Sequence, residues 1–417
     1  MNPYTRRDFL KVAGASASVM LLPVSLRAQM ASGRVVIIGG GFGGGTTAKY
    51  LKLWSPGVDV TLVEPESAFH SCVMSNLYYP GRIELDFLRT PYDGLVHRGV
   101  DLVRDRALEV DTVAHTVTLA GGRRLTYDKL VVAPGIDFLY PPGLEDPDAQ
   151  ARVPHAWKNV AEQAPRLRSM LRAMPNGGTF VLAVPPLPYR CPPGPYERAC
   201  MVASYLRRSK PRSKVVVLDA NPDIVAKPDI FHHAFDVTHR GFVEYHPSAP
   251  VLSVDADSLT VTTPLGPFQA SVLNVIPAQR AGQIAFDAGL VNVNDRWAGV
   301  DAQTFSSTAA PDVFIVGDAN GSSVGKSGHF ANSEGKLVAA AIGAQLAGEP
   351  ENASPMLGNV CYSAITLESA SWFTNHLIYR GGNMVPVPAS VAEGPPSGGN
   401  FERMFAWGRN LWADSLI

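Results

Sequence analysis

The chain has 417 residues, 46% of them hydrophobic and 18% charged, with a formal net charge of −1. That is room for two or three domains around a large core, and it offers no basic surface for nucleic acid. Four cysteines are too few for a disulfide scaffold, and no apolar run is both long and clean enough for a membrane span.

The first segment stands apart. "TRRDFLK" at 5–11 is a twin-arginine pattern, followed by the mildly apolar "VAGASASVMLLPVSL" and by cleavage points after Ala28 or Ala31. It reads as an export signal of the twin-arginine type, over residues 1–31, and predicts a periplasmic address. Its removal takes away Arg6, Arg7, Lys11, Arg27 and Asp8, leaving a net charge of −4. Such export carries folded proteins, so the signal hints at a cofactor inserted beforehand. A periplasmic address also permits a lasting disulfide.

"RVVIIGGGFGGGTTAKYLKLW" follows. Arg34 to Ile38 is a short apolar strand, Gly39, Gly41 and Gly44 form GxGxxG, and the chain is expected to be helical from Thr46. "VDVTLVEP" is the next strand and ends with Glu64, 20 residues after Gly44. Gly39 permits the tight turn, Gly41 lets a pyrophosphate approach the backbone, and Gly44 lets the helix pack on the strand. The helix N-terminus offers N–H donors to phosphate, and Glu64 can accept from the ribose hydroxyls. A second stretch selects FAD over NAD. "PDVFIVGDAN" ends an apolar strand in Gly317–Asp318, the pattern by which flavoproteins with two dinucleotide domains return to the first domain and bind the FAD ribityl chain. "YDKLVVAPG" at 127–135 resembles the strand by which such chains leave it.

The segment between should repeat the fold. "GGTFVLAVP" and "SKVVVLDANPD", the latter passing through Asp219, are its first two strands. Where an NAD-binding copy needs glycines, "LAVPPLPYRCPPGPYERAC" at 182–200 has six prolines. Proline has no N–H for a phosphate, and its ring is expected to fill the pyrophosphate space. This domain should keep the architecture without a nicotinamide site. The fold class is therefore α/β: two Rossmann-like domains, the second without a nucleotide site, plus a C-terminal α+β domain. The expected boundaries are 32–145 with 280–350 for the FAD domain, 146–279 for the second, and 351–417 for the C-terminal domain, a partner interface or lid. In the last, Phe401, Met404, Phe405, Trp407, Leu411 and Trp412 can share one helical face, either packed on the body or serving as that lid.

Cys191 lies at the C-terminal edge of the second domain's first strand, where α/β folds bind ligands. Cys361 lies about 170 residues on. The two are a redox pair if the fold brings them together, or two small buried side chains if it does not. Cys200, on the helix "YERACMVASYLRR", reads as a core residue. Cys72 follows Glu64 by eight residues, in a region that passes near the isoalloxazine, and is free or bonded to it. No histidine or cysteine spacing suits a metal or a haem on this chain.

At this point the sequence resembles a family, the flavoprotein subunits of flavocytochrome c sulfide dehydrogenase, relatives of the sulfide:quinone oxidoreductases. The stretches that carry the resemblance are "RCPPGPYERA", "VIPAQRAGQIA", "FIVGDAN", "KSGHFANSEGK" and "NVCYSAI". The resemblance implies that Cys191 and Cys361 form a redox disulfide over the flavin and that Cys72, in "CVMSN", carries FAD covalently. It implies that Glu197 is a proton acceptor, that Trp407 lines the site, and that Lys326, in "KSGHFANSEGK", helps bind the cofactor. It further implies a small inorganic sulfur substrate and a c-type cytochrome partner that holds the haem c. The surroundings of Cys72 ("AFHS") and the presence of Cys200 depart from the family pattern. Two other functions compatible with these residues are a membrane-associated sulfide:quinone oxidoreductase and a non-catalytic flavin-fold electron-transfer subunit.

Overall fold

The computed structural model describes residues 31–417, and the expected twin-arginine signal of residues 1–31 lies, but for Ala31, outside the described residues. Strand β1 (Gly33–Ile38) is buried on both faces. Val35 and Ile37 enter one apolar core, Val36 and Ile38 another. Burial on both faces suits a parallel sheet covered on each side. Helix α1 (Phe42–Trp54) follows. It begins four residues earlier than the expected Thr46, inside the glycine motif, with Gly41 at its N-cap. Strands β2 (Val58–Val63), β3 (Asp101–Val103) and β4 (Lys129–Val132) then add to β1, all parallel.

The chain leaves this sheet through Ile136–Leu139 and starts a second with β5 (Thr179–Val184). Phe180, Leu182 and Val184 face one core, Val181 and Ala183 another. Helix α2 (Gly194–Ser209) follows, then β6 (Lys214–Asp219), β7 (Val243–His246) and β8 (Val272–Val275). The sheet runs β7-β6-β5-β8, again parallel throughout. The return strand Ala278–Ala281 pairs antiparallel with Ile136–Leu139. Strand β9 (Val313–Ile315) then pairs with β4 and completes the first sheet as β9-β4-β1-β2-β3.

Helix α3 (Gly328–Ala347) is capped by Ser327 Oγ, which accepts from Phe330 N at 3.1 Å. Strands β10 (Met356–Ala364), β11 (Ala370–Arg380), β12 (Asn383–Pro386) and β13 (Ala392–Ser397) form an antiparallel sheet in which β12 and β13 both pair with β11. Helix α4 (Gly398–Leu416) ends the chain. Phe401, Met404, Leu411 and Trp412 are buried, while Phe405 and Trp407 are half-buried. The helix is docked on the body: Lys49 Nζ donates to Ala413 O at 2.8 Å and Tyr50 Oη to Asp414 Oδ1 at 2.6 Å. Lys336 Nζ lies 2.5 Å from Asp414 Oδ2. No helix among the described residues is long and apolar enough to cross a membrane.

Candidate active site

The C-terminal ends of the parallel strands meet one cavity of about 650 Å³. At one end lies the glycine turn. Gly39 turns at φ +98°, and Gly44 packs its Cα against that turn, where an added Cβ would sit 1.9 Å from Gly39 O. Gly41 lines the cavity, and a Cβ there would meet only Phe69 Cε2, at 4.0 Å. The backbone at the start of α1 is thus open to a phosphate. Glu64 lies behind the turn, not in the cavity wall. Its Oε2 accepts from Gly40 N at 2.7 Å and its Oε1 from Glu66 N at 2.9 Å.

Gly317, Asp318 and Lys326 line the same wall. Lys326 is buried, donates to the Asp318 and Asn320 carbonyls at 2.9 and 2.7 Å, and sits 3.8 Å from the Trp297 ring centroid. Burial lowers its pKa to about 8. Cys72 also lines the cavity; burial pushes its thiol up, and Arg190 opposes that shift.

The other end gathers the cysteines. Cys191 and Cys361 both line the cavity, and all four cysteines are free thiols. Cys191 sits just before α2 with φ +56°, a left-handed conformation that costs a non-glycine residue on the order of 1 kcal/mol. Its N–H donates to Lys326 O at 2.7 Å, which ties this loop to the segment between β9 and α3. Cys361 stands on β10 opposite Phe373. Burial pushes both thiols up.

Glu197, in the first turn of α2, is 7% exposed and lines the cavity. Its Oε1 accepts from Ala364 N at 2.7 Å and its Oε2 from Asn76 Nδ2 at 2.8 Å. Burial raises its pKa against these hydrogen bonds. A carboxylate with an elevated pKa is suited to receive a proton near neutral pH. The neighbouring Arg198 supports this wall. It is 1% exposed, and its ring contacts are Tyr79 at 5.0 Å and Trp157 at 4.8 Å. It donates to Asn76 Oδ1, Asn274 Oδ1 and the carbonyls of His155 and Ala156.

Trp407 lines the cavity from α4, and Trp157 lines it as well. Both indole Nε1 atoms are buried and find no hydrogen-bond partner among the described residues. Two orphaned donors in the same cavity as an open helix N-terminus and Asp318 fit a large, acceptor-rich ligand such as FAD.

The acid of the second crevice is already occupied. Pro186 and Pro188 are exposed, while Pro185, Pro193 and Pro195 are buried. Tyrosines reach the carboxylate at the end of β6: Tyr196 Oη and Tyr245 Oη donate to Asp219 Oδ2 at 2.7 and 3.0 Å. Asn221 N and Nδ2 donate to Oδ1 at 2.9 and 2.7 Å. Four donors saturate the carboxylate that a nucleotide ribose would need. Cys200 is fully buried in the core.

Sequence reading missed Trp157, Arg190, Asn76 and Lys227, all in the cavity wall. Asn76 belongs to the quoted "CVMSN" and Arg190 opens the quoted "RCPPGPYERA", so both had a signal; Trp157 and Lys227 arrive through long-range packing with none.

The chain matches two family descriptions. Residues 165–277 match the central region of the sulfide dehydrogenase (flavocytochrome c) flavoprotein chain, and residues 33–168 match the pyridine nucleotide-disulphide oxidoreductases. It is 60% identical over 43 residues to a sulfide dehydrogenase (flavocytochrome c) flavoprotein chain of Chlorobaculum thiosulfatiphilum, which covers 10% of this chain and 90% of that one. It is 22% identical over 305 residues to the mitochondrial sulfide:quinone oxidoreductase of Mus musculus, covering 68% of this chain and 65% of the mouse protein. Among solved structures, the sulfide:quinone oxidoreductase of Aquifex aeolicus superposes with a TM-score of 0.75 at 19% identity, covering 92% of this chain and 91% of that one. This last likeness shows the mixed α/β fold with parallel sheets.

Proposed function

The chain belongs to the family of flavocytochrome c sulfide dehydrogenase flavoprotein chains, whose common activity is FAD-dependent sulfide oxidation, and from that premise we propose that it is a sulfide:cytochrome c oxidoreductase working through Cys191 and Cys361. The observation that supports this reading is that two cysteines about 170 residues apart line one cavity with Glu197 between the elements that carry them. On this reading the FAD domain is 32–145 with 280–350, the second Rossmann-like domain is 146–279 and the C-terminal domain is 351–417. The partner is a c-type cytochrome subunit bearing the haem, and the address is the periplasm.

FAD, when bound, would supply a two-electron sink for the cysteine pair that can discharge one electron at a time. Gly41 and the start of α1 would hold its pyrophosphate, Asp318 its ribityl chain, and Trp407 and Trp157 its acceptor atoms, and Cys72 would carry it covalently. In the oxidised chain Cys191 and Cys361 form a disulfide. Hydrosulfide attacks one sulfur of it: a new S–S bond forms to that cysteine, the cysteine–cysteine bond breaks, and its electron pair leaves on the other as thiolate. Glu197 takes the proton of the resulting persulfide. A second hydrosulfide attacks the outer sulfur: a new S–S bond forms, the bond to the cysteine breaks, inorganic hydrogen disulfide leaves, and both cysteines remain as thiolates.

C191S and C361S test this. Each should abolish sulfide-dependent bleaching of the flavin and reduction of cytochrome c, with flavin content unchanged. Turnover retained in either variant rejects the redox-pair reading. Flavin that stays with acid-precipitated, washed protein supports the Cys72 bond, and its loss rejects it. Sulfide-dependent reduction of a short-chain quinone in preference to cytochrome c would move the acceptor to quinone.

A further inference from the structure

We propose that Lys227 is a positioning residue that holds Cys361 as the thiolate of the redox pair, from a cradle built by Ser363 and Ser371. The inference rests on the reading of Cys191 and Cys361 as that pair.

Lys227 is 5% exposed and lines the same cavity as both cysteines. It adopts φ +53°, ψ 52° at the start of the short helix Pro228–His233. A lysine in the left-handed region, buried, is doubly unfavourable without a role for its charge. Its ammonium donates to Ser363 Oγ at 2.7 Å and Ser371 Oγ at 3.0 Å. These two serines face each other across β10 and β11, and Cys361, paired with Phe373, is two positions away along the same ladder. Side chains two apart on a strand share a face, so Ser363 carries the ammonium to the face of β10 that bears Cys361. Both serine partners are neutral, and none of the ion pairs among the described residues includes Lys227. An ammonium has three donors, and two are used. The third donor remains, and the charge, met only by the Phe231 ring at 5.6 Å, is left for an anion in the cavity.

The groups facing the pair are few. Glu197 on α2 is held by Ala364 N and Asn76, and Glu393 lies on β13. His329 on α3 is turned to the backbone, its Nδ1 accepting from Val360 N at 2.8 Å. Burial pushes both thiols up, but Lys227 pulls Cys361 back down. Cys191 is pushed further by Cys361 and Glu197, and Arg190 opposes that only in part.

This asymmetry gives the disulfide a direction. The sulfur of hydrosulfide bonds to Cys191 Sγ, and the Sγ–Sγ bond breaks. Its electron pair leaves on Cys361 Sγ, beside the ammonium. The substrate sulfur is oxidised, the disulfide is reduced, and the substrate's proton stays on the Cys191 persulfide until Glu197 takes it. The lower-pKa thiol is the better leaving group.

The test reads the thiols, not turnover. The flavin-loaded protein is reduced, freed of reductant under argon, and pulsed with iodoacetamide across a pH series; peptide mass spectrometry gives the alkylated fraction of each cysteine. In the wild type, half-alkylation of Cys361 should fall about one pH unit or more below that of Cys191. K227M, at equal flavin content, should raise the Cys361 midpoint by about one unit and move Cys191 much less. Equal midpoints in the wild type overturn the proposal, and that comparison needs no variant to fold. An unmoved Cys361 midpoint in folded K227M overturns it too, since a merely structural lysine would change the melting temperature and leave the order of the thiols alone. Sulfide bleaching of the wild-type flavin is scored separately. No bleaching with Lys227-dependent midpoints sinks the sulfide reading alone; bleaching with Lys227-independent midpoints sinks this inference alone.

Discussion

Two glycines of the same motif should fail in different ways when given a methyl group. In G44A the new Cβ would lie 1.9 Å from Gly39 O and 3.2 Å from Ile37 Cγ2. The oxygen belongs to the backbone of the turn, so relief to the 3.0 Å that real Cβ atoms respect means moving β1 and α1 apart by about 1.1 Å. Overpacking of this kind costs about 3 kcal/mol, the upper end of what forced methylenes cost in packed interiors. With an unfolding entropy of about 2.1 cal/mol/K per residue, the described chain loses about 0.8 kcal/mol per degree at its midpoint, so G44A should melt about 4 °C lower. In G41A the backbone is already extended at φ −72°, ψ −166°, and the methyl meets only Phe69 at 4.0 Å. The fold should be unharmed, or gain about 0.4–1 kcal/mol from a stiffer unfolded chain. The methyl does, however, occupy the open side of the turn that faces the cavity, so flavin loading should fall. Thermal unfolding of flavin-free protein and flavin absorbance after reconstitution separate the two. A G44A that melts within a degree of wild type, or a G41A that loads flavin fully, would refute the division of labour between fold and ligand.

E197Q should slow sulfide-dependent bleaching by roughly 10²–10⁴-fold, the usual worth of a positioned proton acceptor. Burial raises the Glu197 pKa, so the wild-type rate should fall as pH drops through that raised value; in E197Q the acid limb left is that of hydrosulfide itself, and an unchanged rate and limb argue against the base. The glutamine amide would also face the Asn76 amide, which Arg198 prevents from flipping, so a loss of about 1–3 kcal/mol should appear in the melt. NADH under argon should leave the flavin oxidised, because Asp219 is saturated by Tyr196, Tyr245 and Asn221; bleaching within seconds would contradict the loss of that site. D414N should loosen α4 by about 1 kcal/mol at neutral pH. Burial pushes Asp414 up, but hydrogen bonds from Lys336, Tyr50 and Asn332 hold it below the ordinary carboxylate range. Its stabilisation is therefore present above the unfolded pKa and lost as pH falls through the folded one. The melting deficit of D414N should close in acid, with faster amide exchange in 398–416 at neutral pH; a deficit independent of pH counts against the ion pair.

The dinucleotide turn is legible in sequence because its physics is local. Strand, glycines, helix start and the Gly317–Asp318 turn are each decided by neighbours within a few residues. The helix start was misplaced by four residues because glycine is a poor helix former, yet the close approach of α1 to β1 and the ligand requires glycine inside the first turn. Cys191 and Cys361 stayed ambiguous as residues, since nothing short-range says that β10 crosses the mouth of the second sheet; the family likeness alone suggested the pairing. The proline stretch reads as a lost nucleotide site, but the hydroxyls that occupy Asp219 belong to Tyr196 on α2 and Tyr245 on β7, brought there by strand order. Lys227 was illegible for the same reason, as its partners lie 136 and 144 residues away.

The tyrosine lock on Asp219 has a consequence beyond the missing cofactor. A flavoprotein with an open second crevice is coupled to the ratio of oxidised to reduced nicotinamide around it, and its flavin drifts with that ratio. In this chain Tyr196, Tyr245 and Asn221 occupy that acid. On the proposed function its redox state then answers to two chemistries, the sulfur at the cysteines and whatever acceptor meets the flavin. The lock works as electrical insulation: it keeps the sulfur reaction apart from the surrounding nicotinamide.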